Sequence, residues 1–284
     1  MDEQLIEAYD NYIVGNYQQC LDMSRDADPT SDFSKFLWET LIVRCRLGLG
    51  ILEKEVINSD NPALASAGHM SALLKSHTDS LRRSASDKIV EIAQSTNNME
   101  PVSCYFSAVT RALHGDLIDA INYAKAVSSS SPSEFNALQT QLCLAINRPD
   151  LAEEILKKSS TDRDDSAAHK LANAIYNLII NKNTDAYLCY SDLIAQFGGE
   201  SSLILANGRA CANIQRGLYG EAQEDLELVL AGRPNDSDSL ANLACCLVHQ
   251  GKSEEACEIL HKLKQIHPQH ILNKHLDAVT TLFS

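Results

Sequence analysis

At 284 residues, with 44% hydrophobic but only 6% aromatic content, 12 glycines and 7 prolines, the chain can bury a large core and is balanced toward helix rather than a sheet sandwich. Its formal net charge of −14, with no stripe of Lys and Arg, argues against nucleic-acid binding and against direct docking on anionic lipid. The start, MDEQLIEAYD, lacks the basic and apolar regions of a signal peptide, and no apolar run approaches the roughly 20 residues of a membrane span, so a cytoplasmic chain is expected.

In chain order, AYDNYIVGNYQQC comes first, with Ala8, Gly15, Tyr17 and Cys20. Residues 34–59 and 62–97 are amphipathic but less regular. ALHGDLIDAINYAKAVSSSSP follows, with Ala108, Gly115, Ala120 and Pro132, and then a second irregular stretch over 134–160. KLANAIYNLIINKNTDAYLCYSDL carries Ala174 and Ala186. The last two units carry Ala210, Gly217, Ala222 and Pro234, then Ala244, Gly251, Ala256 and Pro268, each member 34 residues from its counterpart. A period of 34 is the mark of the tetratricopeptide repeat, a pair of helices joined by a turn. Small residues stand where the paired helices cross, Gly ends the first helix in a left-handed conformation, and Pro follows the second because it cannot continue a helix. Breaks fall at turn-forming clusters such as DADPTSD, NSDNP and GRPNDSD, and no segment alternates with a period of two. The expected fold is all-α: one right-handed α-solenoid of tetratricopeptide-like helix pairs over 1–284, with roughly 12–14 helices.

Chemistry is sparse. There is no phosphate-binding loop, no paired cysteine motif of zinc spacing and no His-Glu-x-x-His, so neither a cofactor nor catalysis is expected. GLGILE at Gly48–Glu53 resembles a fragment of a dinucleotide turn but lacks a preceding strand and a third glycine, and reads better as a helix end. Cys257, His261, His267, His270 and His275 straddle a Pro-containing break and read as a solvated helix end rather than a metal site. The nine cysteines sit mostly in apolar helical patterns, as small hydrophobes of a reducing compartment. LRRSAS places Ser84 and Ser86 beside arginines, which fits a phosphorylation site or a plain turn between helices.

In a helical repeat array the first helix of each pair lines the inner wall. Counting along the beat places Leu5, Tyr9, Tyr12 and Ile13 there, then Tyr105, Val109 and Ala112, then Leu171, Ile175 and Leu178. Asn207, Cys211 and Ile214 follow, and Ala241, Cys245 and Val248 complete the set. These places are largely apolar, and an exposed apolar wall implies a protein partner, with Tyr9, Tyr12 and Tyr105 as aromatic anchors; otherwise some of these side chains are core. Arrays that clamp an acidic peptide tail put Lys, Arg and Asn there, so that use is disfavoured.

Three segments go beyond a generic repeat: NYIVGNYQQCLD (Asn11–Asp22), NTDAYLCYSDLIAQF (Asn183–Phe197) and LILANGRACANIQRGLYGEAQEDLELVL (Leu203–Leu230). In order and spacing they resemble the epsilon subunit family of coatomer, with Tyr219 where that family often has Trp and a shorter, less acidic tail. The resemblance implies a non-catalytic subunit of the COPI vesicle coat. Such a subunit binds and stabilises the C-terminal domain of the alpha subunit, meets other coat subunits indirectly, and reaches Golgi membranes only through the coat, in retrograde transport to the endoplasmic reticulum. A tetratricopeptide adaptor that gathers short peptides for another complex is the alternative.

Overall fold

The computed structural model describes residues 3–52, 54–76, 78–95, 100–127, 133–163, 166–197 and 202–283. Among them are sixteen α-helices, one short 3₁₀ helix and no strand. The excess over 12–14 comes from the irregular stretches, which hold more helix than their broken pattern shows, and from a last helix beyond the repeat grid. The helices group into two compact units, Met1–Tyr176 and Asn177–Ser284.

The first unit opens with α1 (Glu3–Ile13), α2 (Tyr17–Arg25) and α3 (Asp32–Gly48), followed by the 3₁₀ helix Lys54–Asn58. Then come α4 (Pro62–Lys75), α5 (Asp79–Ser95), α6 (Pro101–Leu113) and α7 (Leu117–Ala126). Next are α8 (Ser133–Ala145), α9 (Pro149–Arg163) and α10 (Ala167–Ile179), the last of which carries the unit boundary. The second unit continues with α11 (Asn183–Gln196), α12 (Leu203–Gln215) and α13 (Tyr219–Gly232), then α14 (Ser237–His249), α15 (Ser253–Ile266) and α16 (Ile271–Phe283).

Helix starts are set by side chains that accept otherwise orphaned backbone N–H groups. Ser31 accepts from the Ser34 N–H, Ser202 from that of Leu205 and Asp236 from that of Ser239. Asn61 and Glu100 do the same just ahead of Pro62 and Pro101, whose fixed φ suits a first helical residue. At the pair turns Gly15, Gly115, Gly217 and Gly251 have φ of 88°, 86°, 77° and 77°. The pairs α8–α9 and α10–α11 turn instead on Asn147 (φ 58°) and Asn181 (φ 61°), the residue type that best tolerates this conformation after Gly. GLGILE is a helix end: α3 stops at Gly48 and Gly50 turns the chain at φ 72°. Pro234 and Pro268 follow α13 and α15 as expected; Pro132 lies outside the described residues.

The small residues of the beat, Ala8, Ala108, Ala120, Ala174, Ala186, Ala210, Ala222, Ala244 and Ala256, are all buried. Ala108 with Ala120 and Ala210 with Ala222 share a core between paired helices. Two glycines take this further. An added Cβ at Gly208 of α12 would lie 2.3 Å from the Tyr190 ring of α11, and one at Gly48 would lie 2.5 Å from the Tyr17 ring of α2. Gly208, in the Asn207–Cys211 stretch of α12, is thus a socket for Tyr190 of the preceding helix, where an added Cβ would force the ring to shift.

Candidate partner-binding surface

In the first unit the inner positions of α1, α3, α6 and α8 converge on an ion pair. Arg44 of α3 and Glu134 of α8 are 4% and 5% exposed, and both guanidinium NH groups donate to the Glu134 carboxylate, the Arg44 NH1–Glu134 Oε2 bond being 3.2 Å. The Tyr9 hydroxyl donates to the same carboxylate and accepts from Arg44 NH1 at 3.3 Å. Three rings close around the cation: the Arg44 guanidinium carbon lies 4.5 Å from the Tyr12 centroid, 5.0 Å from that of Tyr105 and 5.8 Å from that of Tyr9. Tyr105 in turn meets Phe135 edge-on at 5.9 Å.

The electrostatics follow from desolvation and pairing. Burial by itself would lower the Arg44 pKa, but Glu134 and the tyrosines outweigh it and hold the guanidinium above its usual value. Burial first, then the Glu134 charge, push Tyr9 and Tyr105 up; burial does the same for Tyr12. These phenols are neutral, spent on packing and hydrogen bonding.

The expected wall positions along these helices differ in burial. Leu5, 3% exposed, belongs to the core that α1 makes with Cys20, Trp38, Leu41 and Cys45. Tyr9, Tyr12 and Tyr105 face the chain's own cation. Val109 is half-buried against the core of Val43, Met70, Ile89 and Phe106. Ile13, Leu171 and Ile175 are half-buried, and Ala112 packs beside Ala108 and Ala120.

In the second unit the expected wall positions are half-buried, apart from Val248: Asn207, Cys211, Cys245, Leu178 and Ala241 are so placed, Ile214 packs on the core of Ala210 and Leu226, and Val248 is 54% exposed. Asn242 donates to Asn207 Oδ1 at 3.1 Å and to Cys211 Sγ at 3.3 Å, tying the inner faces of α12 and α14 together. Burial raises the thiol pKa values of Cys211, Cys245 and Cys246, the last to about 11, which disfavours the thiolate form. In the first unit burial raises Cys104 to about 11, and contact with Cys20 holds Cys45 up. Cys257 is exposed, against the expectation for a buried thiol.

The C-terminal histidines are divided among local tasks. His267 Nε2 lies 2.8 Å from the Asn235 carbonyl oxygen, His270 Nε2 lies 3.1 Å from Asp238, and His261 lies 2.8 Å from Gln265. His267 and His270 fasten the α15–α16 turn to the α13–α14 region, His261 stays within α15, and among the described residues no group of three or more His, Cys, Asp or Glu is placed to hold a metal. Ser86 is 4% exposed inside α5, whereas Ser84 is exposed on the same helix. No described helix is long and apolar enough to cross a membrane.

Sequence reasoning missed Arg44 and Glu134. The signal for Arg44 was present: Tyr9, Val109, Cys211 and Cys245 each stand six residues before the turn glycine of their pair, and Arg44 stands six before Gly50. Glu134 opens its helix, and nothing local marks it as buried.

The comparisons with known proteins agree in one direction. The chain is 30% identical over 161 residues to "Coatomer subunit epsilon-2" of Oryza sativa subsp. indica, a match covering 56% of this chain and 53% of that relative. It therefore spans about half the length of that relative. Against "Coatomer subunit epsilon-2" of Arabidopsis thaliana it is 24% identical over 285 residues, covering 99% of this chain and 94% of the other. A solved tetratricopeptide repeat protein from Parabacteroides merdae ATCC 43184 superposes with a TM-score of 0.62 at 17% identity, over 93% of this chain and 98% of that one, which establishes the tetratricopeptide-like fold. The family model described as "Coatomer epsilon subunit" matches residues 1–284, and the chain belongs to the coatomer epsilon subunit family.

Proposed function

We propose that this chain is a non-catalytic scaffold subunit of the COPI vesicle coat. It binds and stabilises the C-terminal domain of the alpha subunit on the cytoplasmic face of Golgi membranes, in retrograde and intra-Golgi transport. The observation that carries the reading is the family match along the whole chain. The chemistry supports a scaffold: the strongly shifted tyrosines and the Arg44–Glu134 pair are spent on packing between helices, and most thiols are pushed upward by burial, away from reactivity.

Contact with the alpha subunit is assigned to the half-buried inner positions: Ile13, Val109, Leu171 and Ile175 in the first unit, and Asn207, Cys211 and Cys245 in the second. Leu5 supports this wall from the core, and Tyr9, Tyr12 and Tyr105 shape it by holding Arg44. Apolar anchors of this size contribute about 1.5–3 kcal/mol each when fully covered, so a few suffice for stable association after ordering costs. In a pull-down with the alpha C-terminal domain, Ile175→Arg and Cys245→Arg are expected to lose capture while keeping full helix content by circular dichroism. Capture by both variants at the native level removes the wall assignment; failure of the native chain to capture the domain removes the coat reading itself.

A further inference from the structure

The ends of α3, α4 and α6 lie along one edge of the first unit. Ser66 of α4 and Ser103 of α6 are bonded at 3.0 Å near the starts of their helices, so these two helices run side by side in the same direction and end together. Lys75 Nζ, at the end of α4, donates to the Leu52 carbonyl at 3.2 Å, which brings the segment after α3 to the same edge.

Three consecutive turns there expose aliphatic side chains: Leu49 and Ile51 after α3, Leu74 and Leu81 around the α4–α5 turn, and Leu113 and Ile118 around the α6–α7 turn. Their exposures run from 37% to 64%. The patch is bounded. The α1–α2 turn buries Val14 and Asn16, and the α8–α9 turn carries the Arg148–Asp150 ion pair. The opposite edge carries Asp26, Asp28, Asp60 and Glu100, with Phe33 exposed beside them.

The charge at this edge is reversed relative to the molecule. Arg46, Lys75, Arg82, Arg83 and Arg111 stand at these three turns against Asp79, Asp116 and Asp119 among the described residues, with Arg111 paired to Asp116 at 3.6 Å, in a chain of net charge −14. Charges beyond about 8 Å are largely screened at physiological salt, so an arriving segment meets the local basic patch rather than the acidic whole. Isologous pairing of two copies here would set Arg82 and Arg83 against their own kind, which disfavours self-association.

We infer that this basic aliphatic edge of α3–α7 is a docking surface for an acidic amphipathic helix of a partner protein, with a stripe of leucine-like side chains flanked by carboxylates. With helices packed about 10 Å apart, the three turns span about 20–30 Å, the length of a helix of about 14–20 residues. This surface is separate from the inner wall, and the inference goes beyond the coat reading.

The test uses the full chain and a synthetic helical peptide of Glu, Ala and a four-residue-spaced Leu stripe, followed by fluorescence anisotropy. The peptide is expected to bind saturably and to weaken as salt rises from about 0.05 to 0.3 M. Its Lys-for-Glu counterpart is expected not to bind. The combined variant Leu74→Ser, Leu81→Ser, Ile118→Ser is expected to weaken binding by about tenfold or more with an unchanged melting temperature. Arg82→Glu with Arg83→Glu is expected to do the same without touching an apolar side chain. Equal binding by native and both variant chains overturns the inference, as does no saturable binding to the native chain. It is equally overturned if phosphatidylserine vesicles bind in place of the peptide, or if the native chain sediments as a dimer that the leucine variant abolishes.

Discussion

A guanidinium that has left water must recover its hydration from protein groups, and Arg44 does so with one carboxylate and three aromatic faces. Removing one member leaves the other charged and stranded. Arg44→Met is therefore expected to cost about 3–5 kcal/mol in urea denaturation, whereas Arg44→Met with Glu134→Leu regains most of that loss. A single-variant cost below about 1 kcal/mol would contradict the description of a desolvated pair. The tyrosines set a pH dependence of known sign. Their folded pKa values lie above the ordinary 10.0, so below that pH both folded and unfolded chains hold the proton and stability from this source is constant. Above it the unfolded chain loses protons first, and stability falls as pH rises toward the folded values. Tyr9→Phe removes one such group, so its stability should decline less steeply between about pH 10 and 12 than that of the native chain. The buried thiols add their own decline from lower pH in both proteins, and the difference between the two curves isolates the phenol.

At the scale of elements, the turn between paired helices demands one residue of positive φ, and this is what made the beat readable. Where Gly15, Gly115, Gly217 and Gly251 supply it, the helix pairs stand out from sequence; where Asn147 supplies it the pair looks irregular, and the Asn181 pair is legible only through its small residues Ala174 and Ala186. Asn181→Gly is expected to leave thermal stability within a few tenths of a kcal/mol, and Asn181→Ala to lose about 1 kcal/mol, because a Cβ without a local hydrogen bond resists this conformation. Equal losses in both variants would mean that the Asn side chain, not its backbone, matters there. Period and spacing yield an expected set of wall positions; they do not say how closely the helices that carry them approach one another. Arg44 and Glu134 are 90 positions apart, and their meeting depends on how α3 and α8 stack, which no local pattern encodes. The Gly208 socket for Tyr190 shows the converse case, a family motif whose packing reason appears only when the two helices are placed together.

For the whole molecule, the sixteen helices among the described residues, the net charge of −14 and the Arg44–Glu134 pair spent on packing support the scaffold reading proposed above. Membership of the coatomer epsilon family gives that reading its direction. The most direct measurement is size-exclusion chromatography with light scattering of the purified chain mixed with the purified C-terminal domain of the alpha subunit. The account predicts one stable peak containing both proteins in near-equal amount, with the melting temperature of the pair above that of either alone. Two separate peaks at micromolar concentration, with unshifted melting, would contradict it.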